Sequence, residues 1–345
     1  MKTLKKLIFA MMAGSAIFTS CSKGAQPGTP VPTPGDGPQV QLTLGGDVST
    51  RALALPAVEG EAWEKEIKTL AVYCYGTNGN LIAQRAFNAE ELASLSTTFT
   101  MPASAVGTQC TFYAMANYSP GGTYTQTAAG LESSEAPSSA LYNGDFSQVS
   151  TKCVRPEGFV MTGKATITLQ SGTPNAVSIT VQRTVAKFFV RAKLSPDFAQ
   201  RFQGGTVVIT SALVQRVPTA SMLFYKDGNA PGNQAGAGTV NQTPFSDAGG
   251  YYLLFYCHEQ GEVALNRRMT ITLTGYFDRD GNLSTTFDRD PVQYLITVEG
   301  SGNCKIDRNR LYIIDVTIKG INGADAQSAV TEADWMPPFT QTGDI

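Results

Sequence analysis

The sequence predicts an all-β protein built as two antiparallel β-sandwich domains of Greek-key type, with one short helix. Three observations predict it. Strand-length segments that alternate apolar and polar residues recur from residue 39 to the end of the chain. No segment carries the period of a long helix, and 34 glycines and 18 prolines punctuate the alternating runs. Hydrophobic residues reach 42% and charged residues only 16%, against roughly 25% charged in an average soluble protein, so a disordered chain is excluded. A length of 345 residues allows each of two sandwiches its own core.

The chain opens with an address. Lys2, Lys5 and Lys6 precede the apolar stretch 7–18, which suits the core of a signal peptide and is too short to span a bilayer. Phe18-Thr19-Ser20-Cys21 follows, resembling a bacterial lipobox with Phe where Leu is usual. Residues 1–20 are therefore expected to be removed and Cys21 to be lipidated. Loss of the three lysines takes the formal net charge from −2 to −5. An acidic chain with no basic stripe argues against nucleic acid as a partner. Residues 24–38 hold five prolines and four glycines, which predicts an extended tether.

Strands then follow in order. In 39–45, Val40, Leu42 and Leu44 alternate with polar neighbours, a short half-buried strand. Residues 66–75 form a second, and Asn78-Gly79 turns the chain into a third at 81–87. Asn88 with Glu91 three residues on is a capping box, opening a short helix to about Leu95. Further strands are expected at 110–117, 163–169, 176–183, 186–193, 206–217 and 251–256. A hairpin of 268–276 with 283–287 is expected across the Asp- and Gly-rich 278–282, followed by strands 292–299 and 311–319. In the last, Tyr312, Ile314, Val316 and Ile318 share one face. Long polar loops fall at 118–150 and 226–250. Leu194-Ser195-Pro196 suggests the boundary, giving sandwiches at 52–195 and 196–320 after a segment 21–51, with a tail at 321–345.

The residues an enzyme would need do not assemble into a pattern. His258 is the sole histidine, so Ser-His-Asp catalysis and histidine metal sites have no basis. His258-Glu259 begins like HExxH and finds no second histidine. Asp278-x-Asp280-Gly281 begins like a calcium loop, lacks the later ligands of an EF-hand, and is read as a hairpin turn. Beyond Cys21, the cysteines Cys74, Cys110, Cys153, Cys257 and Cys304 show no CxxC spacing for zinc. Cys74 and Cys110 sit inside strand-like runs as small apolar groups. Carboxylates on separated strands, the glycosidase arrangement, leave no mark in a sequence. No catalytic residue, metal or cofactor is expected.

Several segments, taken in order, carry a resemblance. Ser49-Thr50-Arg51-Ala52 follows the lipoprotein signal and the first short strand. Tyr113-Ala114-Met115-Ala116-Asn117 ends a strand, and Phe159-Val160-Met161-Thr162-Gly163 precedes Arg183-Thr184-Val185-Ala186-Lys187. Asn309-Arg310-Leu311-Tyr312 opens the last strong strand, with Asp334-Trp335 in the tail. The chain resembles the Bacteroidetes fimbrillins, the FimA/Mfa-like subunits of the type V pilus.

The resemblance implies transthyretin-like sandwiches and assembly by donor-strand insertion. The subunit would reach the outer membrane through its lipid, and a trypsin-like protease would cut between Arg51 and Ala52. Cleavage would release the strand carrying Val40, Leu42 and Leu44 and open an unpaired edge. The tail of another fimbrillin subunit, with Ala329, Thr331, Ala333 and Trp335 at one parity before Pro337-Pro338, would fill it by strand addition. Four or five apolar residues at ~1.5–3 kcal/mol each supply on the order of 10 kcal/mol gross. The implied role is a stalk or tip subunit of a cell-surface fimbria, in a homo- or hetero-polymer. A second interpretation keeps the lipid and the first strand: a pilus anchor, or a monomeric surface lipoprotein whose long loops bind a glycan, host protein or bacterial surface ligand.

Overall fold

The computed structural model describes residues 37–46, 62–118, 127–143, 157–172, 174–224, 238–298 and 305–334. The elements run β1 (Gln39–Gly46), α1 (Ala62–Lys65), β2 (Leu70–Gly76), β3 (Leu81–Ala86), α2 (Ala89–Ser94), β4 (Ser96–Thr100), β5 (Gln109–Ala116), α3 (Ala128–Glu132), β6 (Met161–Thr168) and β7 (Asn175–Arg183). They continue β8 (Val185–Leu194), α4 (Phe198–Arg201), β9 (Thr206–Val217), β10 (Gly238–Gln242), β11 (Phe245–Asp247), β12 (Gly250–His258), β13 (Thr270–Asp278), β14 (Arg289–Thr297), β15 (Arg310–Ile318) and β16 (Ala326–Asp334). The protein is all-β, as its alternation predicts, with four short α-helices among the described residues where one is expected from the sequence.

The first sheet has the order β3-β2-β5-β6-β7-β1-β4. Its middle is a corner, because β6 and β7 pair only through Met161–Arg183 and Thr162–Gln182. Beyond that corner the strands diverge into two leaves, β3-β2-β5-β6 and β7-β1-β4. Gly163 lets them turn, since a Cβ there would lie 2.1 Å from the Thr180 carbonyl oxygen. Between the leaves Val40, Leu42, Leu44, Val177, Ile179 and Val181 meet Leu70, Val72, Cys74, Cys110, Phe112 and Ala114.

A four-stranded sheet, β10-β9-β13-β14, and a five-stranded one, β11-β12-β8-β15-β16, complete the fold. The five-stranded sheet is apolar on both faces. Phe188, Val190, Phe255, Tyr312, Ile314 and Val316 face the core built with the four-stranded sheet. Phe189, Leu254, Tyr256, Leu311 and Ile313 face the core of the first sheet. Phe188 stacks between Phe255 at 5.0 Å and Tyr312 at 4.8 Å, which fixes the register of the middle strands.

Three expectations need correction. The strand 186–193 does not close an N-terminal domain ending at 195. It is β8, paired with β12 and β15, so the chain leaves the first sheet at Thr184. A strand apolar on both faces needs a layer on each side, and the central sheet provides them. Residues 283–287 are not a strand, because β13 pairs directly with β14 from Asp278–Arg289 onward, leaving Leu283 and Phe287 exposed in the turn. The long segments also hold elements of their own. Leu131 of α3 and Leu223 and Phe224 pack on Tyr73, Tyr75 and Tyr113, and β10 and β11 occupy part of 226–250.

The capping box forms as its sequence predicts: Asn88 accepts from the Glu91 backbone N–H and Glu91 accepts from that of Asn88. Cys74, Cys110 and Cys257 are free and buried, and burial pushes each thiol up. Cys153 and Cys304 lie outside the described residues.

Candidate functional site

β1 is the strand on which the sequence placed a role, and it sits at the centre of its leaf. It runs parallel to β7 from Val40–Asn175 to Gly46–Val181 and antiparallel to β4 from Gln39–Thr100 to Thr43–Ser96. Val40 and Leu42 are wholly buried and Leu44 nearly so, while Gln39 and Gln41 face solvent. The Asn175 side-chain amide donates to the Gln39 carbonyl at 3.0 Å, and Met101 N–H donates to the Pro38 carbonyl at 2.9 Å. Among the described residues β4 pairs with β1 alone. Withdrawing β1 would leave β4 and β7 two strand spacings apart, about 9.6 Å, with both inner edges unpaired.

The walls of that slot have supports of their own. Glu91 joins β3, α2 and β4: its carboxylate accepts from Arg85 at 2.5 Å, from the Thr97 hydroxyl, and from Asn88 N–H at 2.8 Å. Burial opposes its charge, but these hydrogen bonds and the Arg85 guanidinium hold the carboxyl at about 2. β4 is therefore tied to β3 independently of β1.

The chain downstream of the expected cut is anchored more strongly. Glu64 of α1 is fully buried and accepts from Lys187 Nζ at 2.7 Å and from the Tyr256 hydroxyl at 2.5 Å. Arg183 Nε donates to the Glu64 carbonyl at 2.8 Å, and its Nη1 to Asn309 Oδ1 at 3.0 Å. Burial pushes the Arg183 guanidinium down to about 10, against the pull of Glu64 and Tyr256, so it stays charged at neutral pH. Removing one partner of a buried pair costs about 3–5 kcal/mol, so this segment is held in the fold by contacts that do not involve β1. Asn117 adds to the anchor: its side chain accepts from Lys68 N–H at 2.8 Å and donates to the Glu66 carbonyl at 2.7 Å.

The expected donor segment is a strand at home. β16 lies antiparallel to β15 from Arg310–Asp334 to Ile318–Ala326, at the edge of the five-stranded sheet. Ala326 and Val330 pack, partly buried, on the C-terminal core, whereas Ala329 is exposed. Thr331 and Ala333 lie at the parity of Ala329 and pair in register with Ile313 and Leu311. Cys21, Arg51, Ala52 and Trp335 lie outside the described residues.

Glu64, Arg183, Lys187 and Asn309 drew no functional expectation from the sequence. A lysine inside the apolar run 185–190 was the signal, because such a residue must find a buried counter-charge.

The family model of the fimbrillin-A-associated anchor proteins Mfa1 and Mfa2 matches residues 34–337. A structure assigned to cell adhesion from Bacteroides eggerthii matches with a TM-score of 0.60 and 17% identity, over 89% of this chain and 98% of that one. A fimbrilin (FimA) from Porphyromonas gingivalis W83 gives 0.57 and 17%, over 86% and 97%. The tip fimbrial protein Mfa3 from Porphyromonas gingivalis, truncated at its C-terminus, gives 0.53 and 15%, over 86% and 100%. At such identities the structures speak to fold alone. No curated protein matches the chain. The family and these neighbours are fimbrial and adhesion proteins rather than enzymes.

Proposed function

Because the chain belongs to the family of fimbrillin-A-associated anchor proteins Mfa1 and Mfa2, we propose that this fimbrial protein of the cell surface is a polymerising subunit, assembled by exchange of β1. It is exported as a lipoprotein on Cys21, cut between Arg51 and Ala52 by a trypsin-like protease, and loses β1 with its tether. One observation carries this proposal: β1 is the inner strand of its leaf, holds three buried aliphatic residues, and is followed by an anchored α1. Its departure removes ~1.5–3 kcal/mol of burial per aliphatic side chain and leaves a slot that only another strand can fill. The occupant is the tail of a neighbouring subunit, with Ala329, Thr331, Ala333 and Trp335 inward.

A second interpretation, a lipid-retaining anchor, is favoured by the pairing of β16 with its own β15, which leaves that strand engaged in the monomer. Mass spectrometry of the surface-exposed protein separates the two. An N-terminus at Ala52 with a ladder of SDS-resistant oligomers is expected, and Arg51→Ala should leave folded, acylated monomer. Retention of acylated Cys21 on wild-type monomers alone would overturn the exchange scheme in favour of the anchor.

A further inference from the structure

The turn between β13 and β14 gathers carboxylates that assembly leaves without a role. Asp278 ends β13 and pairs across the ladder with Arg289. Its side chain is fully buried, yet only one oxygen is engaged: Oδ2 lies 3.4 Å from Arg289 Nε, and Oδ1 accepts no hydrogen bond. A buried carboxylate oxygen without a donor is costly unless something else meets it. Asp280 and Asp288 gather around the Asp278 side chain, and one oxygen from each of the three lies within 4.8 Å of the other two. The loop's own hydrogen bonds hold this arrangement. Asp280 N–H donates to Asp288 Oδ2 at 3.2 Å, Asp280 Oδ1 accepts from Asn282 N–H at 2.8 Å, and the Thr285 hydroxyl donates to Asp288 Oδ1 at 3.3 Å.

The nearby cations are already committed. Arg279 is held bidentate by Asp290, both contacts at 2.7 Å. Arg289 donates Nη2 to the Leu283 carbonyl at 2.8 Å and lies over the Tyr276 ring at 4.2 Å. Three carboxylates that close repel one another, and the long Arg289 contact to Asp278 and the pull of the Arg279 charge on Asp288 offset this in part.

We propose that Asp278, Asp280 and Asp288 bind a hard divalent cation, calcium in preference to magnesium. The donor set is all oxygen, with neither histidine nor cysteine, which selects against zinc and copper. Calcium accepts six to eight oxygens in irregular geometry, so water can complete the shell around the three carboxylates. Magnesium demands a near-ideal octahedron that a loop of this kind does not offer. The sequence spacing Asp278-x-Asp280-x-Asn282 shows oxygen donors at alternate positions, but the third carboxylate arrives from Asp288, where no calcium-loop spacing would place it. Bound cation would tie the end of β13 to the start of β14. The turn also abuts the loop after α4, where Gly204 O lies 2.5 Å from the Cβ position of Gly281.

Calorimetry and thermal melts on the full chain, stripped with EDTA and titrated separately with calcium and magnesium chloride, test the proposal. One calcium per chain is expected, with a Kd on the order of 10⁻⁴–10⁻³ M and weaker magnesium binding. At about 10 mM calcium the Tm should rise by about 2–4 °C. Asp280→Asn and Asp288→Asn keep the side-chain shape at partly exposed positions, so both should fold and melt in EDTA at or above the wild-type Tm. Each should lose calcium affinity at least about tenfold, since a charged ligand is replaced by a neutral one. Absence of calcium heat and of any melt shift in the wild type would overturn the assignment. So would undiminished binding by both variants, which would put the ion elsewhere in the chain.

Discussion

Glu91 shows how one side chain serves both a helix cap and the wall of the slot. It closes the capping box of α2 and, through Arg85 and Thr97, ties β3 to β4. Its folded carboxyl stands near 2, below the ordinary value of 4.5, so the folded state favours the ionised form. The stabilisation is therefore complete above about pH 4.5 and is lost as pH falls toward 2. Glu91→Gln should destabilise by about 1 kcal/mol at pH 7, discounted for solvent screening. Denaturant melts from pH 7 to 2.5 should show the wild-type advantage shrinking below pH 4.5. A constant difference across that range would mean that the ionised carboxylate is not what holds β4. Elsewhere polar residues do comparable work: Asn117 and Asn309, both at positive φ, lie in the segments that carried the family resemblance and bond across the chain.

At the scale of elements, β1 and β16 differ in how much holds them. Among the described residues β1 has a partner on each side and three buried aliphatic residues, whereas β16 has one partner and packs Ala326 and Val330 only partly. Under the proposed strand exchange, β16 would give up its nine-pair ladder with β15 for a place between two strands of a neighbour. Thr317 and Gln327 are register partners on β15 and β16, so Thr317→Cys with Gln327→Cys can tether the tail in place. The oxidised variant should fold and be cleaved but fail to polymerise, and reduction should restore oligomers on non-denaturing gels. Polymers formed in the oxidised state would place the donor elsewhere. Ala329 is exposed on β16, and the pairing of β16 with β15 went unforeseen in the sequence.

At the scale of the whole molecule, the five-stranded sheet belongs to two cores, so neither core is complete without it. Phe189 serves one and Phe188 the other from adjacent positions on β8. Calorimetry should therefore give a single cooperative transition for the described fold. Phe189→Ala, at a cost of about 3–5 kcal/mol, should lower all of it rather than one part. Two resolved transitions, with only the first moved by the substitution, would show that the cores unfold independently. Much of this was legible in the sequence, because alternation is a local property. The parity of Val40, Leu42 and Leu44, or of Tyr312, Ile314, Val316 and Ile318, fixes which residues turn inward whatever the neighbours are. The capping box at Asn88 is local in the same way. Only the tertiary structure decided which strands became neighbours, that β8 is buried on both faces, that Lys187 meets Glu64, and that Asp288 folds back to Asp278. Those pairings join segments far apart in the chain or fold a loop upon itself. They are set by where layers of apolar surface can be buried together, which no spacing within a single segment records.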